Sequence, residues 1–220
     1  MSDLSVAGGH DHPAQQVTEA VVRSGVVAVL RAPTADAFSA VSDVLVESGI
    51  TALEVTLTSR GALEALAGLR RQLPGHVVVG AGTVLSADDA KASVDAGAAF
   101  LVSPVAVPGL EGFGVPVYPG AFTPSEIFAA SRTGAPLVKL FPASAVGPRY
   151  LKDLHGPLPG VRIMPTGGIE IADVAAWLSA GAAAVGLGGP LLGDAASGGS
   201  LAQLADRARR AADAVAYARS

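Results

Sequence analysis

The chain contains no cysteine, which excludes disulfides, a thiolate nucleophile and any Cys-ligated metal centre. Charge is scarce as well: only 15% of its 220 residues are Asp, Glu, Lys or Arg, and the formal net charge is −4. With no basic run to follow a phosphate backbone, no nucleic-acid partner is expected. Apolar stretches are short, and none approaches the roughly 20 residues of a transmembrane helix. The acidic, Gly-rich start also lacks the basic and apolar regions of a signal peptide. No membrane partner and a cytoplasmic location are therefore expected. The four histidines are scattered. His10 and His12 fall in Gly8-Gly9-His10-Asp11-His12-Pro13, which reads as a flexible N-terminal segment over residues 1–14 rather than a metal site. No metal is expected.

What the chain does have is apolar side chains, half of all residues, a fraction high enough to suggest an apolar oligomer interface. Short Val/Ala/Leu runs alternate with helical stretches from end to end, the pattern of a parallel α/β sheet. Eight strands are predicted: Val26 to Arg31, Ala52 to Leu57, Val77 to Ala81, Phe100 to Ser103, Val115 to Tyr118, Leu137 to Phe141, Arg162 to Pro165 and Ala183 to Leu187. The helices between them include Ala35 to Ser48, Gly61 to Leu73, Ala87 to Ala96, Pro124 to Thr133 and Ile171 to Ala180, and another follows Ser200. Several stop at Gly49, Gly97, Gly134 or Gly181, where a left-handed cap is expected. Eight β/α units in so short a chain predict a single α/β domain over residues 15–220, a (β/α)₈ TIM barrel with an extra N-terminal helix, Gln15 to Arg23. An open doubly wound sheet is the main competitor, but no strand leads into a dinucleotide-type glycine fingerprint.

Only three residues are lysine, and one of them, Lys139, interrupts the apolar run from Ala135 to Pro142. Burial strips the ammonium of its hydration, so such a lysine is kept by a counter-ion or because its neutral amine does chemistry. That amine is a nucleophile able to form a Schiff base with a carbonyl. Lys91 and Lys152 fall in polar helical contexts and read as solvated.

In parallel barrels functional side chains gather at the carboxyl ends of the strands. The polar interruptions fall there repeatedly: Arg31, Glu54 and Thr56, Thr83, Lys139 and Thr166. Period-two alternation puts Glu54 and Thr56 on one face, opposite Leu53, Val55 and Leu57. It likewise turns Lys139 inward between Val138 and Leu140. The predicted second and sixth strands oppose each other in an eight-stranded barrel, so the two side chains can approach across its mouth. A base beside a Schiff-base lysine suits proton transfer at the carbinolamine and enamine stages; a buried ion pair that only fixes the core fits the same geometry.

Glycines cluster in Pro165-Thr166-Gly167-Gly168-Ile169 and Val185-Gly186-Leu187-Gly188-Gly189. Loops after strands seven and eight are where this fold commonly binds phosphate, although tight βα turns also need glycine. In Gly80-Ala81-Gly82-Thr83 the glycines free space over the mouth, and Thr83 either donates to a carboxylate or caps the helix near Ser86. Thr123-Pro124-Ser125-Glu126 reads first as a capping box.

With these motifs in order, from Val29-Leu30-Arg31 and Leu53-Glu54-Val55-Thr56 through Gly80-Ala81-Gly82-Thr83-Val84, Ser103-Pro104, Pro119-Gly120 and Lys139-Leu140-Phe141-Pro142-Ala143 to the two glycine loops, residues Val26 to Leu192 resemble the class I 2-keto-3-deoxy-6-phosphogluconate (KDPG) aldolase family. That family includes bifunctional enzymes that also cleave 4-hydroxy-2-oxoglutarate (KHG). The resemblance implies a (β/α)₈ barrel, commonly a homotrimer, with no cofactor, acting on a small-molecule 2-keto acid in the Entner–Doudoroff pathway. It implies Lys139 as the Schiff-base residue and Glu54 as general acid/base. It places Arg31 and Thr83 at the substrate carboxylate, Phe141 against the pyruvyl unit and Thr166 near a substrate hydroxyl, with Pro104 also among the substrate-binding residues. Gly167, Gly168, Gly188 and Gly189 would hold the phosphate. One branch carries a carboxylate-binding arginine where this chain has Thr58, leaving that task to Arg31, and relatives usually have serine at the position of Gly189, here followed by Pro190. A galactonate-type sister group shares several of these motifs. A phosphosugar isomerase with a carboxylate base, and a phosphometabolite-binding barrel in which Lys139 is an ion-pair partner, are the other classes compatible with the pattern.

Overall fold

The computed structural model describes residues 13–220; His10, His12 and the rest of residues 1–12 lie outside the described residues. Helix α1 (Pro13–Ser24) already includes Pro13 and Ala14. Nine short strands follow: β1 (Val26–Leu30), β2 (Ala52–Thr56), β3 (Val78–Gly82), β4 (Leu101–Val102), β5 (Val117–Tyr118), β6 (Gly120–Ala121), β7 (Val138–Leu140), β8 (Ile163–Pro165) and β9 (Val185–Leu187). Around them run α2 (Phe38–Glu47), α3 (Ala62–Gln72), α4 (Ala87–Asp95), α5 (Pro124–Arg132), α6 (Pro148–His155), α7 (Val174–Ser179), α8 (Gly189–Leu192) and α9 (Leu201–Arg219).

Every strand pairing is parallel. The strands form a six-stranded sheet in the order β5-β4-β3-β2-β1-β9 and a three-stranded sheet in the order β6-β7-β8. Two joints link the sheets. The expected fifth strand, Val115 to Tyr118, is shortened to β5, and an unpredicted strand, β6, follows it across Pro119, which has no N–H to give a ladder. At the other side, an isolated parallel bridge pairs Thr166 with Gly186, and Ala183 N donates to Ile163 O at 2.9 Å.

Alternation along the strands divides the core in two. Val26, Ala28, Leu30, Leu53, Val55, Val138 and Leu140 pack in one cluster with helical residues such as Phe38, Leu66, Ile127 and Trp177. The opposite face contributes Val27, Ala52, Val78, Phe100, Tyr118, Leu137, Met164 and Ala184 to a second cluster, together with Val21 of α1. Phe100 stacks on Tyr118 there at 5.4 Å, and the Tyr118 hydroxyl meets Thr18 Oγ1 of α1 at 3.1 Å. Helix α1 therefore packs against the amino-terminal ends of the strands.

The expected left-handed caps are present at Gly49, Gly97, Gly134 and Gly181, with φ of 93°, 95°, 85° and 103°. The predicted helix over Ile171 to Ala180 opens with a 3₁₀ turn at Ile171–Asp173 before α7. The predicted helix from Ala35 begins only at Phe38. Among the described residues no helix is long and apolar enough to cross a membrane.

Candidate active site

Lys139 sits in the middle of β7 on the inner face, because Val138 and Leu140 on either side pack outward. Glu54 occupies the corresponding face of β2, two residues after inward Ala52. Both are buried, at 4% and 0% exposure, and Lys139 Nζ lies 3.9 Å from Glu54 Oε1. That separation is an ion pair too long for a hydrogen bond. Among the described residues neither carboxylate oxygen of Glu54 has a hydrogen-bond partner. Buried carboxylates are ordinarily hydrogen-bonded, because desolvation without compensation costs several kcal/mol or more. Glu54 thus keeps full accepting capacity directly beside a primary amine. A core ion pair built for stability would be expected to satisfy those oxygens.

The neighbours of the pair are fixed by close approach. Glu54 is in register with Gly80, and a Cβ at Gly82 would overlap Glu54 Oε1, so only glycine there leaves room for the carboxylate. Gly120 is in register with Lys139, and a Cβ on it would overlap the Pro104 carbonyl, which brings Pro104 to the lysine's side. Lys139 Nζ also lies 5.4 Å from the ring centroid of Phe141, a residue 38% exposed. This cation–π approach leaves an apolar face open next to the amine.

Arg31, directly after β1, reaches across the ends of the next two strands. Its Nη1 donates to Thr58 Oγ1 at 2.9 Å and its Nη2 to Thr83 Oγ1 at 3.1 Å. Thr83 has φ of 60°, the one positive value outside glycine among the described residues. A β-branched residue in that region is strained, and such strain concentrates at functional sites. The helix cap belongs instead to Ser86, whose hydroxyl accepts from Asp89 N at 3.0 Å.

Thr166 follows β8 and is 5% exposed, its Oγ1 donating to Met164 O at 3.4 Å. Gly167 and Gly168 come next, with the Phe141 side chain against Gly167 and Ser144 against Gly168. Gly188 and Gly189 open α8, a helix of only four residues with Pro190 in its first turn. Their loop neighbours the Thr166 loop through the Thr166–Gly186 bridge. A Cβ on Gly188 would meet Val29 of β1, whereas one on Gly189 would enter open space.

Other polar residues are engaged elsewhere. Thr123 and Glu126 form the expected reciprocal capping box. Lys91 pairs with Asp95 at the surface, 2.6 Å away, and Lys152 is exposed. No group of three or more His, Cys, Asp or Glu suited to a metal occurs among the described residues. A cavity of about 970 Å³ lies away from the Lys139–Glu54 pair, at the amino-terminal ends of the strands, lined by Thr18 and Glu19 of α1, Pro108 to Gly112, and Arg162. No helix bridges Ser103 to Pro116 there. Perturbed buried polar pairs point to functional sites more specifically than cavity size does.

The structure brings Lys139 and Glu54 together as the sequence predicts, and Gly82 makes the room expected of its motif, whereas the sequence does not predict Thr58 as a partner of Arg31. The polar threonine doublet Thr56 and Thr58, sharing the period of Glu54, was the available signal.

Known proteins share both sequence and architecture. The profile of the KDPG and KHG aldolase family matches residues 17–204. The chain is 41% identical over 143 residues to 2-dehydro-3-deoxy-phosphogluconate aldolase of Pseudomonas aeruginosa, covering 63% of this chain and 64% of that relative. It is 32% identical over 194 residues to a probable 2-dehydro-3-deoxy-6-phosphogalactonate aldolase of Rhizobium meliloti, covering 86% and 92%. The crystal structure of KDPG aldolase from Legionella pneumophila, with pyruvate captured as a covalent carbinolamine, superposes with a TM-score of 0.79. It is 29% identical, with 90% of this chain and 96% of that one covered.

Proposed function

The chain belongs to the KDPG and KHG aldolase family and is a carbon–carbon lyase, and from that premise we propose that Lys139 is its Schiff-base residue and Glu54 its general acid and base. One observation carries the assignment: a buried amine 3.9 Å from a buried carboxylate whose oxygens have no hydrogen-bond partner. The substrate is a 2-keto acid, KDPG, cleaved to pyruvate and glyceraldehyde 3-phosphate, with KHG cleaved to pyruvate and glyoxylate as a second activity. The neutral Lys139 amine adds to C2, and Glu54 protonates the departing hydroxyl so that water leaves and an iminium remains. Glu54 then removes the C4 hydroxyl proton. The C3–C4 electrons move onto the iminium, the aldehyde leaves, and the resulting enamine is protonated at C3 and hydrolysed to pyruvate and free Lys139.

Arg31, with Thr83 beside it, receives the substrate carboxylate. Phe141 and Pro104 pack the pyruvyl unit, Thr166 takes a hydroxyl of the departing aldehyde, and the Gly167-Gly168 and Gly188-Gly189 turns offer backbone amides to the phosphate. The two sheets are read as arcs of one closed (β/α)₈ barrel, supported by the Pro119 joint and the Thr166–Gly186 bridge. Residues 15–220 form that domain, after an N-terminal segment up to residue 14. A homotrimer, a cytoplasmic location and a role in the Entner–Doudoroff pathway complete the reading, the first supported by the high apolar fraction.

The resemblance to the Rhizobium relative over 92% of its length favours a second reading, cleavage of the C4 epimer of KDPG. Pyruvate release from the two epimers separates the readings: faster release from the gluconate epimer supports the first, faster release from the galactonate epimer the second. Lys139→Met is expected to abolish release from both.

A further inference from the structure

Arg31 has five N–H donors, and two are used: Nη1 on Thr58 Oγ1 and Nη2 on Thr83 Oγ1. The hydrogen bonds behind Thr58 have a direction. Thr58 Oγ1 donates to Thr56 Oγ1 at 3.3 Å, and Thr56 Oγ1 donates to Leu30 O at 3.0 Å. Each hydroxyl therefore gives its proton away from Arg31 and presents a lone pair toward it. The chain ends on the carbonyl of the residue that precedes Arg31, so the guanidinium is tied back to its own backbone through a loop of two threonines. Thr56 is fully buried, which anchors the inner end. The opposite arm is held by Thr83, on left-handed backbone immediately after the Gly82 that packs on Glu54.

We propose that Thr58 is a positioning residue that fixes the Arg31 fork to receive the carboxylate of the 2-keto acid. The inference rests on the Schiff-base reading above. An arginine side chain left free at a surface rim loses its binding geometry to rotamer entropy, whereas one with two of its donors fixed presents its remaining N–H groups in a set orientation. Valine at position 58 keeps the shape and removes the acceptor. Serine keeps the acceptor and removes only a methyl.

The test is the pyruvate concentration needed for half-maximal borohydride trapping at Lys139, compared across the wild type, Thr58→Val, Thr58→Ser, Arg31→Met and the Arg31→Met/Thr58→Val double variant. Thr58→Val is expected to raise that concentration about tenfold, the effect of one hydrogen bond to a charged group. Thr58→Ser is expected to stay within about twofold of wild type. In the Arg31→Met background, Thr58→Val is expected to add nothing, since a residue acting through Arg31 has no effect once Arg31 is gone. An unchanged Thr58→Val, a Thr58→Ser as weak as the valine variant, or a full added effect in the double variant would each overturn the inference. If the wild type is not trapped at Lys139 at all, the Schiff-base reading fails first and this inference falls with it.

Discussion

At the amino-terminal ends of the strands the prominent polar groups are matched: Tyr118 with Thr18 at 3.1 Å, Arg162 with Glu19 at 2.8 Å. At the carboxyl ends Arg31, Thr58 and Thr83 are hydrogen-bonded to one another, but the Glu54 carboxylate is left open. Glu54 has two unpartnered oxygens, Lys139 stands 3.9 Å from it, and Thr83 is held on left-handed backbone. The comparison separates two tasks in one core. The amino-terminal end pairs its polar groups with one another, which contributes stability, and the carboxyl end carries a buried carboxylate without a partner, the capacity the proposed reaction uses, at the cost of local strain and desolvation.

The contrast is broken most severely by changes at the open end. Glu54→Gln keeps the shape of the side chain and removes its ability to accept a proton. It should lower turnover by roughly 10²- to 10⁴-fold, measured as pyruvate release, with the circular dichroism spectrum of the folded protein unchanged. An equal loss of folded protein would make Glu54 a core ion-pair member instead. At the amino-terminal end the order of effects should reverse. Burial pushes the Tyr118 phenol well above its ordinary pKa, with the Thr18 hydrogen bond opposing in part. The phenol therefore remains protonated and available to that bond across the ordinary pH range. Tyr118→Phe should cost about 0.5–1.5 kcal/mol in urea denaturation and leave turnover at its wild-type value. A turnover defect larger than the stability loss would contradict the separation.

The smallest expected effect concerns the helix cap after β6, away from the Lys139–Glu54 pair. Backbone amides of Thr123 and Phe122 hold the Glu126 carboxyl below its ordinary range. Because the folded-state value is depressed, its stabilisation is present above the ordinary carboxylate pKa and is lost as pH falls through the folded value. Glu126→Gln should therefore lower the neutral plateau of a Tm-against-pH curve slightly, with the variant and wild-type curves converging as pH falls through the folded value, so that the acid limb of the variant is flatter. A steeper acid limb in the variant would have the sign wrong.

Much of the open end was legible because burial and charge conflict in one dimension. Lys139 interrupts an apolar run, and alternation alone turns it and Glu54 to the same interior. The left-handed glycine caps were legible for the same local reason. What sequence hid depends on residues distant in the chain. The Arg31–Thr58–Thr83 arrangement joins three strand ends, and Thr58 read alone looks like a missing arginine rather than a partner of one. The Tyr118–Thr18 bond spans 100 residues. The break between β5 and β6 follows from Pro119, but neither its effect on strand pairing nor the grouping of the strands into two sheets is visible before the pairing is known.

The most direct test of the account is intact-protein and peptide mass spectrometry after incubation with pyruvate and borohydride, comparing the wild type with Lys139→Met. A reduced pyruvyl adduct confined to the Lys139 peptide, and absent from a folded Lys139→Met protein, is the predicted result. An adduct on Lys91 or Lys152, or none on folded wild-type protein, would contradict it.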